Sequence, residues 1–164
     1  MERYRAWHEP TQAQTKTGNY KKRKLKWQGL TIRIENEAGS IRAGKNWETR
    51  MVYPYGYFVG SKGVDGDEVD VFVGSNQDAP FVYVIHQRKA GDWASYDEDK
   101  VMIGFDSLEE AQQAYLLNYN DDRFLGPVTT MPVAEFIEKL KATQEHPQMI
   151  KAILFFKSPL LFTA

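Results

Sequence analysis

Hydrophobic and polar residues alternate along much of the chain, which is the pattern of half-buried β-strands. Such alternation, or a short run rich in Val, Ile, Tyr and Phe, predicts strands over 29–35, 51–59, 68–73, 81–85, 100–105 and 126–130. Pro54 and Gly56 interrupt the second of these segments, so we expect that strand to be irregular.

Two segments in the second half of the chain have helical spacing instead. Ser107 and Glu110 form a capping-box pattern, and apolar residues at helical spacing follow, so a helix is predicted over about 107–119. Pro132 can begin a second helix whose apolar positions include Phe136 and Leu140. Strands followed by two helices predict an α+β domain, with the sheet forming a small, closed or partly open β-barrel and two flanking C-terminal helices. Residues 150–162 are strongly apolar, but their pattern does not distinguish helix from strand.

Composition excludes several classes of site. The 164 residues include no cysteine, which excludes disulfides, thiolate metal sites and cysteine nucleophiles. No apolar stretch reaches the roughly 18 residues that span a bilayer, and the N-terminus lacks the apolar core of a secretory signal. We therefore expect a cytoplasmic protein without membrane contact.

Charge is distributed unevenly along the chain. Residues 1–28 contain eight basic and two acidic residues, whereas the rest of the chain has an acidic excess. We predict a basic N-terminal tail over 1–24, with little periodicity, and an ordered domain over 25–164. The tail could contact nucleic acid weakly through phosphates, stay solvated, or fold against the acidic body.

The most informative segment is a cluster of acids between residues 64 and 73. Asp70 lies inside an apolar run, where a carboxylate is costly to bury unless it is paired or binds a metal. Asp65 and Asp67 are two residues apart and could point the same way from an extended backbone. A solvated turn is the alternative, but crowded carboxylates favour Mg²⁺. An EF-hand is excluded by spacing, because Val69 and Asp70 occupy positions that need an acid and a glycine.

A second acidic group, Asp97 to Asp99, precedes Lys100 at the start of a predicted strand, and Glu35 ends the first strand. A charged turn is again the alternative. Two carboxylate sources, a lysine and several arginines are the parts of metal-assisted phosphoryl transfer to water.

Two separated motifs carry a family resemblance. Tyr53-Pro54-Tyr55-Gly56-Tyr57, followed eight residues later by Asp65-Gly66-Asp67-Glu68-Val69-Asp70-Val71, resembles the signature of the soluble (family I) inorganic pyrophosphatases. Segments 18–22, 34–36 and 97–105 look closest to the version of this domain in phage and mobile-element (polyvalent) proteins.

The resemblance implies Mg²⁺-dependent hydrolysis of pyrophosphate or a related phosphoanhydride at the mouth of the barrel. It implies Mg²⁺ ligands at Asp65, Asp70, Asp97, Glu98 and Glu35. It implies catalytic roles for Asp67, which would orient or deprotonate the attacking water, for Tyr55 and for Lys100. Substrate would be bound by Arg42, Arg50, Lys100 and Tyr119.

Departures from the family pattern support an alternative. Glu68 replaces the usual proline, the Tyr53–Tyr55 spacing is two residues shorter than usual, and Asn120 stands where a lysine is expected. Fewer phosphate-binding cations would suit a different phosphoanhydride substrate. They would also suit a catalytically weakened phage-type accessory or binding module that keeps the barrel and uses its basic arm on nucleic acid. Family members assemble in different ways, so the sequence is compatible with a homo-oligomer.

Overall fold

The computed structural model describes residues 10–151, except for the side chains of Thr15 and Lys16. Within that range the elements are α1 (Gln12–Thr17), β1 (Lys24–Trp27), β2 (Leu30–Asn36), β3 (Ile41–Ala43), β4 (Glu48–Arg50), β5 (Tyr55–Phe58), β6 (Asp70–Val73), β7 (Phe81–Arg88), β8 (Tyr96–Ile103), α2 (Leu108–Leu116), a 3₁₀ turn (Asp122–Phe124), β9 (Val128–Pro132) and α3 (Val133–Ala142).

Seven strands form one curled sheet in the order β1-β2-β5-β6-β8-β7-β9, and β3 pairs with β4 in a separate hairpin. β6 and β8 run parallel, and the other paired strands run antiparallel. The sheet is a half-barrel with α2 and α3 near the C-terminal end of the described chain, so the α+β, barrel-like prediction is confirmed.

Both faces of the sheet are covered by apolar side chains. On one face, Trp27 and Phe58 contact Phe136 of α3, with ring centroids 6.1 and 5.5 Å apart. On the other face, Phe72 contacts Tyr55 and Tyr115, and Tyr115 belongs to α2. A strand buried on both faces has no polar side to alternate with, which explains the continuous apolar run in β7.

The observed strand boundaries differ from the predicted ones where turns intervene. The predicted 51–59 strand is reduced to β5, and the predicted 68–73 strand begins only at Asp70 because a turn occupies the residues before it. β8 begins earlier than predicted, so the acidic residues 97–99 lie within a strand rather than in a turn.

The helix prediction is confirmed in position, although α2 ends at Leu116 rather than near 119. The Ser107 hydroxyl caps the helix by accepting a hydrogen bond from the Glu110 amide at 3.1 Å. The second half of the predicted capping box is shifted by one residue, because the Glu110 carboxylate accepts from the amide of Asp106 at 2.9 Å. Pro132 is the N-cap of α3 rather than its first residue.

The described part of the predicted tail has more structure than its pattern indicates. α1 is short but has a complete capping box between Thr11 and Gln14, and Gly18 ends it in a left-handed conformation. Further along, the Arg23 guanidinium donates two hydrogen bonds to the Glu37 carboxylate, at 2.9 and 3.0 Å. The basic segment therefore contacts the acidic body at this point.

Most of the apolar segment 150–162 lies outside the described residues. Within the described range, no helix is long and apolar enough to cross a membrane.

Candidate active site

A buried lysine lies at the centre of the most polar region of the sheet. The Lys100 ammonium contacts a carboxylate oxygen of Asp70 at 2.5 Å, a carboxylate oxygen of Glu98 at 2.6 Å and the phenolic oxygen of Tyr55 at 2.9 Å. The Lys100 side chain is only 5% exposed, whereas those of Asp70 and Glu98 are about a quarter exposed. We call these four residues the lysine cluster.

Strand pairing brings the members of the lysine cluster together from three parts of the sequence. Asp70 lies directly opposite Lys100 in the parallel β6–β8 pair. Glu98 is two residues before Lys100 and therefore lies on the same face of β8. Tyr55 pairs with Phe72, which is two residues after Asp70 on the same face of β6. The cluster thus lies at the polar end of the apolar face that α2 covers.

The charges in the lysine cluster are coupled. Burial alone would lower the pKa of Lys100, but the phenols of Tyr55 and Tyr119 and the carboxylates of Asp70 and Glu98 outweigh burial and raise it. Lys100 is therefore an ammonium ion at neutral pH.

The pKa of Glu98 is also raised, because this acid is partly buried and lies close to other carboxylates. Burial raises the pKa of Glu98 to about 7, and a hydrogen bond with the Asp65 carboxyl also raises it, while Lys100 opposes the shift. The Asp65 carboxyl is thus within hydrogen-bonding range of Glu98.

Glu35 and Arg42 extend this site beyond the cluster. Desolvation and the charge of Asp70 raise the pKa of Glu35, while Arg42 and Lys22 lower it. The Arg42 guanidinium lies 4.7 Å from the centroid of the Tyr55 ring. The site therefore pairs several carboxylates with at least two cations, Lys100 and Arg42.

The backbone around Asp65 differs from the extended conformation that we expected. Residues 64–67 form a turn in which Gly66 has φ +92°, and the Asp67 amide donates to the Asp65 carboxylate at 3.1 Å. The expectation that Asp65 and Asp67 share one direction from an extended segment is therefore wrong. The turn explains Gly66, because a left-handed φ strains other residues. Asp67 is exposed, and its catalytic role stays a prediction.

Two further predicted residues, Tyr119 and Asp97, contact aromatic or polar side chains outside the lysine cluster. Tyr119 stacks on Tyr115 at 4.5 Å, and the charges of Lys100 and Arg42 act on its hydroxyl. Asp97 accepts a hydrogen bond from Gln87 at 3.1 Å.

Arg50, a predicted substrate-binding residue, contacts the backbone of the loop before β3 instead of the lysine cluster. Its guanidinium donates to the Gly39 carbonyl at 2.8 Å and contacts no cluster member among the described residues. Its role in binding substrate stays a prediction without geometric support.

The sequence pattern assigned no role to Asp99, although its carboxylate has three different partners among the described residues. Its carboxylate contacts the His86 ring nitrogen Nδ1 at 2.6 Å and accepts from the Tyr96 hydroxyl and the Ile150 amide, each at 2.8 Å. The Nε2 atom of His86 in turn lies 2.7 Å from the Thr129 hydroxyl. This buried network is on the face of β8 opposite the lysine cluster. Strand alternation between Asp99 and Lys100 could have indicated that separation.

The donor set of the site suits a hard divalent cation, because it consists of carboxylate oxygens. Asp65, Asp70 and Glu98 are the residues best placed to hold Mg²⁺, with Glu35 nearby. Across residues 10–151, however, no three His, Asp or Glu side chains already converge as a metal-binding group. The Lys100 ammonium instead lies between Asp70 and Glu98 and neutralises part of their charge from within the protein.

The structure is an α+β domain in which a half-barrel sheet carries carboxylates, a buried lysine and a tyrosine on one face. The model of the inorganic pyrophosphatase family matches residues 12–141, which is most of the chain. The protein belongs to this family. A comparison with curated proteins finds no match.

Proposed function

We propose that this protein is a Mg²⁺-dependent hydrolase of pyrophosphate or a related phosphoanhydride. The observation that supports the proposal best is the lysine cluster. A buried ammonium, two carboxylates and a phenol meet at one point, in a chain that belongs to the inorganic pyrophosphatase family. The absence of cysteine fits a cytoplasmic setting. The likeness to phage and mobile-element proteins stays a prediction.

Each group has a chemical task in this proposal. Mg²⁺ held by Asp65, Asp70 and Glu98, with Glu35 and Asp97 as further candidates, would neutralise phosphate charge and acidify water. Lys100 and Arg42 would donate hydrogen bonds to phosphate oxygens, assisted by the hydroxyls of Tyr55 and Tyr119.

Asp67 would orient the attacking water or accept its proton. It is exposed at the end of the 64–67 turn, and its carboxylate is therefore accessible to a solvent molecule. A general base of this kind contributes about 10²–10⁴-fold to a rate.

The test is phosphate release from pyrophosphate, measured with Mg²⁺ and with a chelator. We expect Mg²⁺-dependent turnover in the natural sequence, a loss of about 10²-fold or more in Asp67→Asn, and a comparable loss in Asp70→Asn. Glu138→Gln is the matched control, because Glu138 is an exposed acid on α3. The hydrolase proposal fails if the purified protein releases no phosphate from pyrophosphate, nucleotides or dinucleotides, and the role of Asp67 fails if Asp67→Asn is as active as Glu138→Gln.

The alternative is an accessory module that binds nucleic acid through its basic N-terminal segment. Lys24 and Lys26 are the exposed positions of β1 and project from one side of that strand, as a phosphate-binding stripe would. Replacing both with alanine should reduce the salt dependence of DNA or RNA binding. Unchanged binding in that variant would exclude β1 as the contact.

A further inference from the structure

The β3–β4 hairpin places an exposed indole beside the proposed active site. Trp47 is in the connection between the two strands, and 47% of its surface is accessible. The Arg42 guanidinium is 5.2 Å from the centroid of the Trp47 ring and 4.7 Å from that of Tyr55. Since the Tyr55 hydroxyl contacts Lys100, an unbroken series of contacts runs from the lysine cluster to the indole.

The indole lies against the turn of its own hairpin, and the hairpin is held to the rest of the domain. The Gly44 amide donates to the Trp47 carbonyl at 2.9 Å, which closes the turn of the hairpin. The indole lies so close to Gly44 that a Cβ atom there would be 2.2 Å from its Nε1 atom. At the other end of the hairpin, the Thr49 hydroxyl donates to the Asn118 carbonyl at 3.4 Å, and Met51 is buried in the core under α2.

Binding of pyrophosphate alone does not explain an exposed indole beside Arg42. It is small and entirely polar, so cations and hydroxyls suffice to bind it, and an exposed indole would contribute nothing. A ligand that carries a phosphoanhydride at one end and a flat aromatic group at the other would use both parts. Nucleobases stack on aromatic side chains because every base has a π-face.

We propose that Trp47 is a stacking platform for the base of a nucleoside phosphoanhydride, which is the substrate class of this site. The inference rests on the hydrolase proposed above. In the reaction, a water oxygen forms a bond to phosphorus, the bridging P–O bond breaks, and a proton is released. A nucleoside diphosphate would yield a nucleoside monophosphate and phosphate. Arg42 would contact the phosphate nearer the base, and Trp47 would contact the base itself.

The experiment compares three substrates, each with Mg²⁺: pyrophosphate, a nucleoside diphosphate and a dinucleoside pyrophosphate. We expect Trp47→Ala to lower kcat/KM for the base-bearing substrates about 5- to 150-fold, the range of one stacking contact. Turnover of pyrophosphate should change less than twofold, and Trp47→Phe should recover most of the loss. The base-bearing substrate with the larger loss of kcat/KM is the one whose base stacks on the indole more strongly.

Phe81→Ala is the matched control, because Phe81 is also an exposed aromatic residue (44% accessible) but begins β7, four residues from the position that pairs with Lys100. The inference is overturned if Trp47→Ala and Phe81→Ala behave alike, or if pyrophosphate is hydrolysed and neither base-bearing substrate is.

A binding measurement separates this inference from the hydrolase proposal. Calorimetry with a methylene-bridged nucleoside diphosphate and with methylene diphosphonate needs no turnover. Weaker binding of the former alone to Trp47→Ala would support the platform even if no substrate is hydrolysed. Equal effects on both ligands would overturn it.

Discussion

Removing the Lys100 ammonium should destabilise the folded protein, because the carboxylates of Asp70 and Glu98 would then repel each other without a cation between them. Lys100→Met keeps most of the side-chain volume but leaves the carboxylates of Asp70 and Glu98 without their common partner. Breaking a fully buried ion pair costs about 3–5 kcal/mol. Because both carboxylates are about a quarter exposed, solvent screens part of this effect, and we expect a loss of about 2–3 kcal/mol.

The assay is urea unfolding in a chelator and again with Mg²⁺. Lys100→Met should be less stable than the natural protein in the chelator, and Mg²⁺ should stabilise the variant more, because the competing ammonium is gone. Free Mg²⁺ at ten times its dissociation constant adds about 1.4 kcal/mol. Phosphate release should remain low in both conditions, since Lys100 is also the proposed phosphate ligand.

Two control variants separate the loss of the ammonium from the general effects of replacing a lysine. Lys141→Met removes an exposed lysine on α3 and should change neither stability nor its dependence on Mg²⁺. Lys100→Arg keeps the charge and should lie between Lys100→Met and the natural protein. Equal stability of Lys100→Met and Lys141→Met would refute the role of the ammonium. A destabilised Lys100→Met that Mg²⁺ does not rescue would refute cation binding by these carboxylates.

Three further changes test other parts of the structure. Gly56→Ala should destabilise the sheet by about 3 kcal/mol or more in urea unfolding, because its Cβ would lie 1.9 Å from the Arg33 carbonyl oxygen on β2. Asp99→Ala should cost about 3–5 kcal/mol, because it leaves His86, the buried Ile150 amide and the part-buried Tyr96 hydroxyl without their acceptor; a loss below 1 kcal/mol would contradict that account. The pKa of Glu98 is raised from 4.5 to about 7 on folding, so the metal-free protein should lose about 1–3 kcal/mol of stability as the pH rises through that window. Glu98→Gln should abolish this pH-dependent loss, and an unchanged pH profile would show that Glu98 is not its source.

The sequence was most informative where local patterns decide structure. The alternation in 29–35 predicted β2 to within a residue, and Ser107 predicted the cap of α2. Glu110 shows the limit of such patterns, because its carboxylate bonds the Asp106 amide rather than that of Ser107. The amide of Asp106 or of Ser107 could play this role in the capping pattern, and the conformation of the folded backbone determines which of them donates to Glu110.

Long-range pairing could not be predicted from the same patterns. Asp70 and Lys100 are thirty residues apart in the sequence. They meet because β8 lies between β6 and β7 in the sheet and pairs with β6 in the parallel direction. An acid inside an apolar run indicated that Asp70 needs a partner, but not that the partner is a lysine. The sequence also indicated an extended 65–67 segment, whereas the left-handed φ of Gly66 makes it a turn.

The Tyr-Gly-Tyr motif shows how fold and site constrain different residues of one segment. Gly56 is required by packing, because β2 passes so close that any side chain would meet the Arg33 carbonyl. Tyr55 is instead positioned for the site, with its ring against Phe72 and its hydroxyl on Lys100. A substitution at Gly56 would therefore affect the site only by displacing β5, whereas Tyr55→Phe would remove one hydrogen bond and leave the strand in place.

The balance of charge at the lysine cluster connects the fold to the proposed chemistry. Lys100 neutralises only part of the charge on Asp70 and Glu98, and burial, with a smaller contribution from the Asp65 carboxyl, raises the pKa of Glu98. Glu35 remains under the repulsion of Asp70 even with Arg42 nearby. A site that retains this unneutralised negative charge within a folded sheet favours binding of a divalent cation. Binding of Mg²⁺ should therefore release the proton that Glu98 carries in the metal-free protein, and proton release on titration with Mg²⁺ at pH 6–7 measures it directly.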